Sequence, residues 1–234
     1  MVARIGWLAI VFPLLCKAFN IEGLENLAAP CEPFKCSKGH HVTAKPEHVV
    51  TVNGCGTSMI HVQSNVDFTE CCNWHDACYA TCGMSKKACE RRFDKCMKKQ
   101  CEEEPNRTEC EGHANMYVLT VKMMGCAAFK ESQKEACTCS TTAAQVEQAD
   151  RERLLWLFQA HDPSQLSTID ALLEKYPIEK RPVMFLRLLK KYPKALVVDE
   201  NKQDTMPHDD LFATGLATDD KSEEEDDIVE HIEL

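Results

Sequence analysis

Fourteen cysteines crowded into one stretch of the chain constrain its fold more than any other feature. The sequence has 15 cysteines, and all except Cys16 lie between Cys31 and Cys139. A short basic start followed by an apolar run indicates a cleaved signal peptide over residues 1–18, with an N-terminal membrane anchor as the alternative. A signal peptide leads into an oxidising compartment, where closely spaced cysteines form disulfides. We therefore expect up to seven disulfides, although the spacing alone does not give their connectivity.

The chain after the signal divides into three regions. Residues 19–141 hold the clustered cysteines, residues 143–197 hold none and show helical periodicity, and residues 198–234 are polar and acidic. From residue 199 onward, 14 acidic residues face two lysines, a balance of −12 within a net charge of −10. The rest of the chain is therefore near +2, and we expect the acidic tail to be disordered.

Three helices are expected within the cysteine-rich region. Cysteine and apolar positions recur at helical spacing over residues 69–83, 85–101 and 110–126, and a glycosylation sequon, N-R-T, begins at Asn106 between the last two. The second helix carries a basic outer face made of Lys86, Lys87, Arg91, Arg92, Lys95, Lys98 and Lys99. The expected fold class is therefore mainly α and disulfide-rich, with helices laced side by side by disulfides.

A small three-helix module is expected over residues 143–197. Its apolar positions follow helical spacing, and the segment LLEKYP at 172–177 nearly repeats as LLKKYP at 188–193. It carries no cluster of nucleophile, base or metal ligands. We expect its aliphatic and aromatic side chains to form a core of their own, with a surface for a protein partner as the alternative.

The motif CCNWHDACY at residues 71–79 places a histidine beside an aspartate among cysteines. It is open to three interpretations: a zinc site, a purely structural disulfide cluster, or a catalytic pair on a rigid helix. Zinc is disfavoured because oxidation competes for thiolates here and the adjacent cysteines depart from C-x-x-C spacing. Successive helix residues point about 100° apart, so His75 and Asp76 do not form a relay. They suit separate tasks, with His75 accepting a proton from water and Asp76 binding a hard cation.

The segment NGCGTS at residues 53–58 is the candidate source of further cation ligands. Calcium takes about six to eight oxygens, and one carboxylate supplies too few. Glycines on both sides of Cys55 allow a tight turn whose carbonyls converge, and a disulfide from Cys55 to the helix would hold this loop beside Asp76. A calcium ion there would polarise an ester carbonyl. On the pattern alone, a structural histidine remains the alternative to catalysis.

Together these segments resemble the active-site signature of secreted phospholipase A2. The motif CCNWHDACY, the upstream NGCG, the cysteine-rich continuation and the terminal ACTC are most similar to the group XII branch, over about residues 31–139. The resemblance implies a calcium-dependent enzyme that cleaves the sn-2 ester of glycerophospholipids to a free fatty acid and a lysophospholipid. It also implies a phospholipid membrane surface as the peripheral partner, and nucleic acid is not among the expected partners.

The resemblance also assigns roles to individual residues. His75 would be the general base, Asp76 the side-chain ligand of the calcium ion, and Tyr79 a hydrogen-bonding support for this pair. The remaining calcium ligands would be the backbone carbonyls of Gly54, Gly56 and Ser58.

Two departures from the family pattern bear on this site. The calcium loop is shortened, and Thr57-Ser58 stands where glycine is usual, which weakens the assignment of Ser58. The family also carries an aspartate on its third helix to orient the histidine, whereas residues 110–126 contain only Glu111. Leu119 takes the expected position, and the candidate substitutes are Asn115, Tyr117 and Thr120. Because loss of the orienting carboxylate weakens a histidine base, a weakly active or inactive lipid-binding or signalling protein is the alternative function.

The last four residues, HIEL, bear on where the protein resides. They resemble the K-D-E-L type of tetrapeptide, which a retrieval receptor reads in the endoplasmic reticulum. We therefore expect entry into the secretory pathway, followed by secretion or, if the receptor reads HIEL, by retention in the lumen.

Overall fold

The computed structural model describes residues 31–55 and 66–199, and helices account for most of these residues. The described residues form seven α-helices, three short 3-10 turns and four short strands, all within one unit. In this part of the chain, no helix is long and apolar enough to cross a membrane. The expected signal peptide, the residues Gly56 and Ser58, the acidic tail from residue 200 and its HIEL terminus lie outside the described residues.

Four helices form the cysteine-rich region: α1 (Thr69–Tyr79), α2 (Lys86–Cys101), α3 (Arg107–Met124) and α4 (Cys126–Ala136). The first three correspond to the predicted segments. Helix α1 ends four residues before the predicted bound, and the turn after it leads to Gly83, whose φ of 86° favours glycine. Ser85 caps α2 by accepting a hydrogen bond from the Ala88 amide at 3.2 Å. The sequon residue Asn106 is exposed and caps α3.

Seven disulfides hold these helices together and use every cysteine from Cys31 to Cys139. They pair Cys31–Cys126, Cys36–Cys139, Cys55–Cys72, Cys71–Cys96, Cys78–Cys89, Cys82–Cys137 and Cys101–Cys110. Two of them lace α1 to α2 side by side, and a third joins α1 to the loop after β2. The predicted mainly α, disulfide-rich fold class is therefore confirmed.

Two small sheets brace the helices at different places. Strand β1 (His41–Ala44) pairs antiparallel with β3 (Cys137–Ser140). Strand β2 (Thr51–Val52) pairs parallel with β4 (Val197–Val198), which comes from the far end of the described chain. The amides of Val197 and Asp199 donate to the carbonyls of Val50 and Val52 at 3.0 and 2.9 Å. The strand that leads into the Asn53–Cys55 turn is thus held by the C-terminal region.

The C-terminal region forms three helices, as predicted: α5 (Ala143–His161), α6 (Ile169–Lys175) and α7 (Arg181–Lys191). The expectation that they form a core of their own is wrong. Their buried side chains, among them Met184, Phe185 and Leu188, belong to one hydrophobic cluster with Ala77, Cys78, Ala80 and Met84. Helix α7 packs on α1, and a Cβ atom on Gly83 would lie 2.9 Å from Pro182 Cγ. The domain boundary near residue 142 stays a prediction.

Candidate active site

His75 is buried in the middle of α1, between two aromatic rings. Its ring centroid lies 4.2 Å from that of Tyr79, one helical turn later, and 4.5 Å from that of Phe93 on α2. Burial lowers the pKa of His75 to about 3, and the nearby charge of Lys86 contributes in the same direction. The imidazole is therefore neutral near pH 7, which leaves one ring nitrogen free to accept a proton.

Asp76 lies beside the Asn53–Cys55 turn, which is tied to α1 at three successive residues. The amide of Asn53 donates to Asp76 Oδ2 at 3.1 Å, and the amide of Gly54 donates to Asn73 Oδ1 at 2.9 Å. The third tie is the Cys55–Cys72 disulfide. Gly54 has a φ of 76°, so the turn depends on glycine at this position. The structure thus places this turn beside Asp76, with the Asn53 amide on the carboxylate and the Gly54 amide on Asn73. The role of Gly54 as a calcium ligand stays a prediction.

The donor set around Asp76 fits a hard cation. Its carboxylate is partly exposed and adjoins a turn whose backbone carbonyls are not committed to a helix. Residues 31–55 and 66–199 contain no cluster of three or more histidine, cysteine or acidic side chains suited to a metal. A cation held here would therefore take most of its ligands from backbone carbonyls, which is the chemistry that calcium accepts.

Helix α3 supplies no carboxylate to the histidine. His75 Nε2 is buried and has no hydrogen-bond partner among the described residues, so none of the proposed substitutes reaches it. Leu119 was expected in the position of the orienting aspartate, but its side chain is 49% exposed, while Ala114 and Val118 carry the buried face of α3. Helix α3 carries two acidic residues, and both lie near its start, where Glu111 pairs with Arg107 at 2.7 Å and Glu109 accepts from Asn106 Nδ2 at 2.6 Å.

A buried ion pair on α2 lies near the histidine, and the sequence pattern did not predict it. Lys86 was expected on the basic outer face, but its side chain is only 8% exposed and pairs with Glu90, which is 10% exposed. Tyr79 Oη donates to Glu90 Oε1 at 3.3 Å. The helical period could have indicated this burial, because positions 86 and 90 lie on the same face of the helix as the buried residues Phe93 and Met97.

Gln133 on α4 clamps the end of the helix that carries His75 and Asp76. Its side chain is fully buried, its Nε2 donates to the carbonyls of Tyr79 and Thr81 at 2.7 and 2.8 Å, and its Oε1 accepts from the Gly83 amide at 3.0 Å. Terminal helix carbonyls need such partners when they are shielded from water. This clamp fixes the end of α1 against α4.

We expect Gln133→Met to lower the free energy of unfolding by about 3 kcal/mol or more at similar side-chain volume. It leaves the Tyr79 carbonyl and the Gly83 amide without a partner, and it removes one of the two donors to the Thr81 carbonyl. The measurement is the urea unfolding curve with the disulfides intact. The control is Gln148→Met, since Gln148 is exposed and bonds only Glu152. Equal unfolding midpoints for the two variants would contradict this role for Gln133.

Comparison with known proteins relates the chain to one family. A family model described as "Group XII secretory phospholipase A2 precursor" matches residues 18–146. Group XIIA secretory phospholipase A2 of Mus musculus is 33% identical over 117 residues, which cover 45% of this chain and 61% of the relative. The Homo sapiens protein of the same name is 32% identical over 117 residues, covering 45% and 62%. The "Group XIIB secretory phospholipase A2-like protein" of Mus musculus is 29% identical over 123 residues, covering 46% and 63%.

The chain spans about three fifths of the length of these curated relatives. No solved structure matches it. The family match covers more than half of the chain and contains the whole cysteine-rich region with α1 and the Asn53–Cys55 turn. The chain belongs to the group XII secretory phospholipase A2 family.

Proposed function

We propose that this protein is a calcium-dependent phospholipase A2 that hydrolyses the sn-2 ester of glycerophospholipids. The observation that carries the proposal is the Asn53–Cys55 turn tied to α1, with the Asn53 amide on Asp76 and with His75 on the same helix. A histidine base beside a carboxylate that could hold a cation is an arrangement that can catalyse ester hydrolysis by water. Family membership supports the same reaction class.

In this proposal the residues have separate tasks. His75 removes a proton from the attacking water, and the neighbouring rings of Tyr79 and Phe93 keep bulk water away from the imidazole. Asp76 and the carbonyls of Gly54, Gly56 and Ser58 would hold calcium. When bound, calcium would polarise the ester carbonyl and stabilise the charge that develops on its oxygen.

The test is hydrolysis of vesicles of mixed phospholipids by the full chain, with and without calcium. We expect release of sn-2 fatty acid only with calcium. Asp76→Asn should raise the calcium concentration for half-maximal activity at least about tenfold, because it removes the charged ligand. Asp67→Asn is the control, since Asp67 also carries a carboxylate near α1 but bonds only Thr69 at the start of that helix. An unchanged calcium requirement in Asp76→Asn would remove Asp76 from the metal site.

A second candidate function is lipid binding with little or no hydrolysis. The observation that favours it is the buried, unpartnered Nε2 of His75, because the imidazolium formed during catalysis would lack a stabilising carboxylate. Vesicle binding that is intact in a chain without measurable fatty-acid release would select this function.

The proposal extends to the partner surface and the location of the protein. Six of the seven basic residues predicted on the outer face of α2 are exposed, and we propose that this face contacts anionic phospholipid at the membrane surface. The secretory relatives support entry into the secretory pathway. Reading of HIEL by a retrieval receptor and a protein partner at the half-exposed Trp156 of α5 remain further proposals.

A further inference from the structure

The ion pair between Lys86 and Glu90 on α2 is buried, which is unusual for charged side chains. Both Lys86 and Glu90 are nine-tenths buried, and desolvating two charges is costly unless further hydrogen bonds compensate them. Lys86 has those bonds, because its Nζ donates to the carbonyls of Val121 and Lys122 at 2.9 and 3.0 Å. The lysine is thus fixed to the C-terminal end of α3, and it fixes Glu90 in turn.

Glu90 in turn holds the side chain of Tyr79, whose ring lies beside the histidine. Glu90 Oε1 accepts from Tyr79 Oη at 3.3 Å, and burial followed by the charge of Glu90 raises the pKa of Tyr79, so the hydroxyl stays a donor. Space around that hydroxyl is limited, since a Cβ atom on Gly125 would lie 2.8 Å from Tyr79 Oη. The Tyr79 ring then contacts the His75 ring at a centroid distance of 4.2 Å.

We propose that Glu90, held by Lys86, is the carboxylate that positions His75 in this chain, and that it acts from the second helix through Tyr79. This inference rests on the proposed function. Helix α3 turns Ala114 and Val118 inward, so it offers no carboxylate for the task. Glu90 is a positioning residue and does not itself touch the reacting atoms.

Two substitutions isolate this contact. Glu90→Gln keeps the side-chain shape and leaves Lys86 its two carbonyl partners, while Tyr79→Phe removes one hydroxyl and keeps the Lys86–Glu90 pair. We expect each to lower kcat about 10- to 100-fold with little change in KM, because a small displacement of a catalytic group is costly. The double variant should lose no more than the larger single loss, since both act through one contact.

The control is Asp94→Asn, which disrupts the Asp94–Lys98 ion pair with the same i,i+4 spacing on the exposed part of α2. We expect its kcat to stay within about twofold of the parent, because exposed pairs contribute little. A merely structural role would lower the unfolding midpoint but leave the kcat of the folded variants unchanged. If Glu90→Gln does not fold, Tyr79→Phe alone decides.

A readout that needs no turnover separates this inference from the proposed function. In the full chain with calcium, the side-chain ¹⁵N–¹H spectrum of His75 should show one ring tautomer in the parent and in Asp94→Asn. It should show broadened or mixed tautomers in Glu90→Gln and Tyr79→Phe. If the parent hydrolyses no lipid, the proposed function fails and this spectrum still tests the positioning. Unchanged spectra, an unchanged kcat, strictly additive losses, or an equal loss in Asp94→Asn would overturn the inference.

Discussion

Replacing His75 by glutamine is expected to lower kcat for calcium-dependent fatty-acid release by about 10²- to 10⁴-fold, the range that a general base contributes. Glutamine fills much of the space of the imidazole but cannot take the proton from water. Its packing between Tyr79 and Phe93 should survive, so calcium and vesicle binding should change little. The measurement is the initial rate of fatty-acid release at saturating calcium and lipid.

His40→Gln is the matched control for this variant. His40 is exposed on the turn before β1 and bonds only Ser37, so its loss should leave kcat unchanged. The neutral state that burial imposes on His75 predicts a base that is present at neutral pH yet weak, and we therefore expect a low turnover in the parent. Parental turnover in His75→Gln would show that His75 is not the base.

The arrangement of the site could be predicted from the sequence where a disulfide or the spacing along one helix determines which residues lie close together. His75 and Asp76 are adjacent on a helix whose period is evident, and the Cys55 disulfide to that helix was sufficient to bring the Asn53–Cys55 turn to Asp76. The number of disulfides followed from an even cysteine count in an oxidising compartment. These inferences depend on local periodicity and on bond chemistry, which one sequence displays directly.

The contacts between helices could not be obtained in the same way. Lys86 and Glu90 are charged, and a charged residue on a helix is normally exposed to solvent. Only their partners on α1 and α3 explain why these two residues are buried. Leu119 was assigned by its position in the family pattern, yet the rotation of α3 decides which side chains face α2. An apolar seam likewise has the same pattern whether it packs on itself or on another helix, as the C-terminal helices illustrate.

A chain ending at Thr142 is expected to lose the cooperative fold of the cysteine-rich region and its calcium-dependent activity, although it retains every cysteine. The truncation removes α7 from α1 and exposes Ala77, Ala80 and Met84, which the C-terminal helices now bury. It also removes β4, the partner of the strand that leads into the Asn53–Cys55 turn. Loss of a single large core side chain costs about 2–5 kcal/mol, and domains are stable by only about 5–15 kcal/mol.

The matched control is a chain ending at Asp199, which keeps every contact described above. We expect it to unfold cooperatively and to retain the hydrolytic rate of the full chain, whereas the shorter chain should bind a hydrophobic dye and show rapid amide exchange in α1. A milder variant, Phe185→Ala, should cost about 3–5 kcal/mol, because it opens a cavity in the shared core. Cooperative unfolding and full activity of the chain ending at Thr142 would show that the cysteine-rich region is independent. In that case, the C-terminal helices would not be needed to stabilise the helix that carries His75 and Asp76.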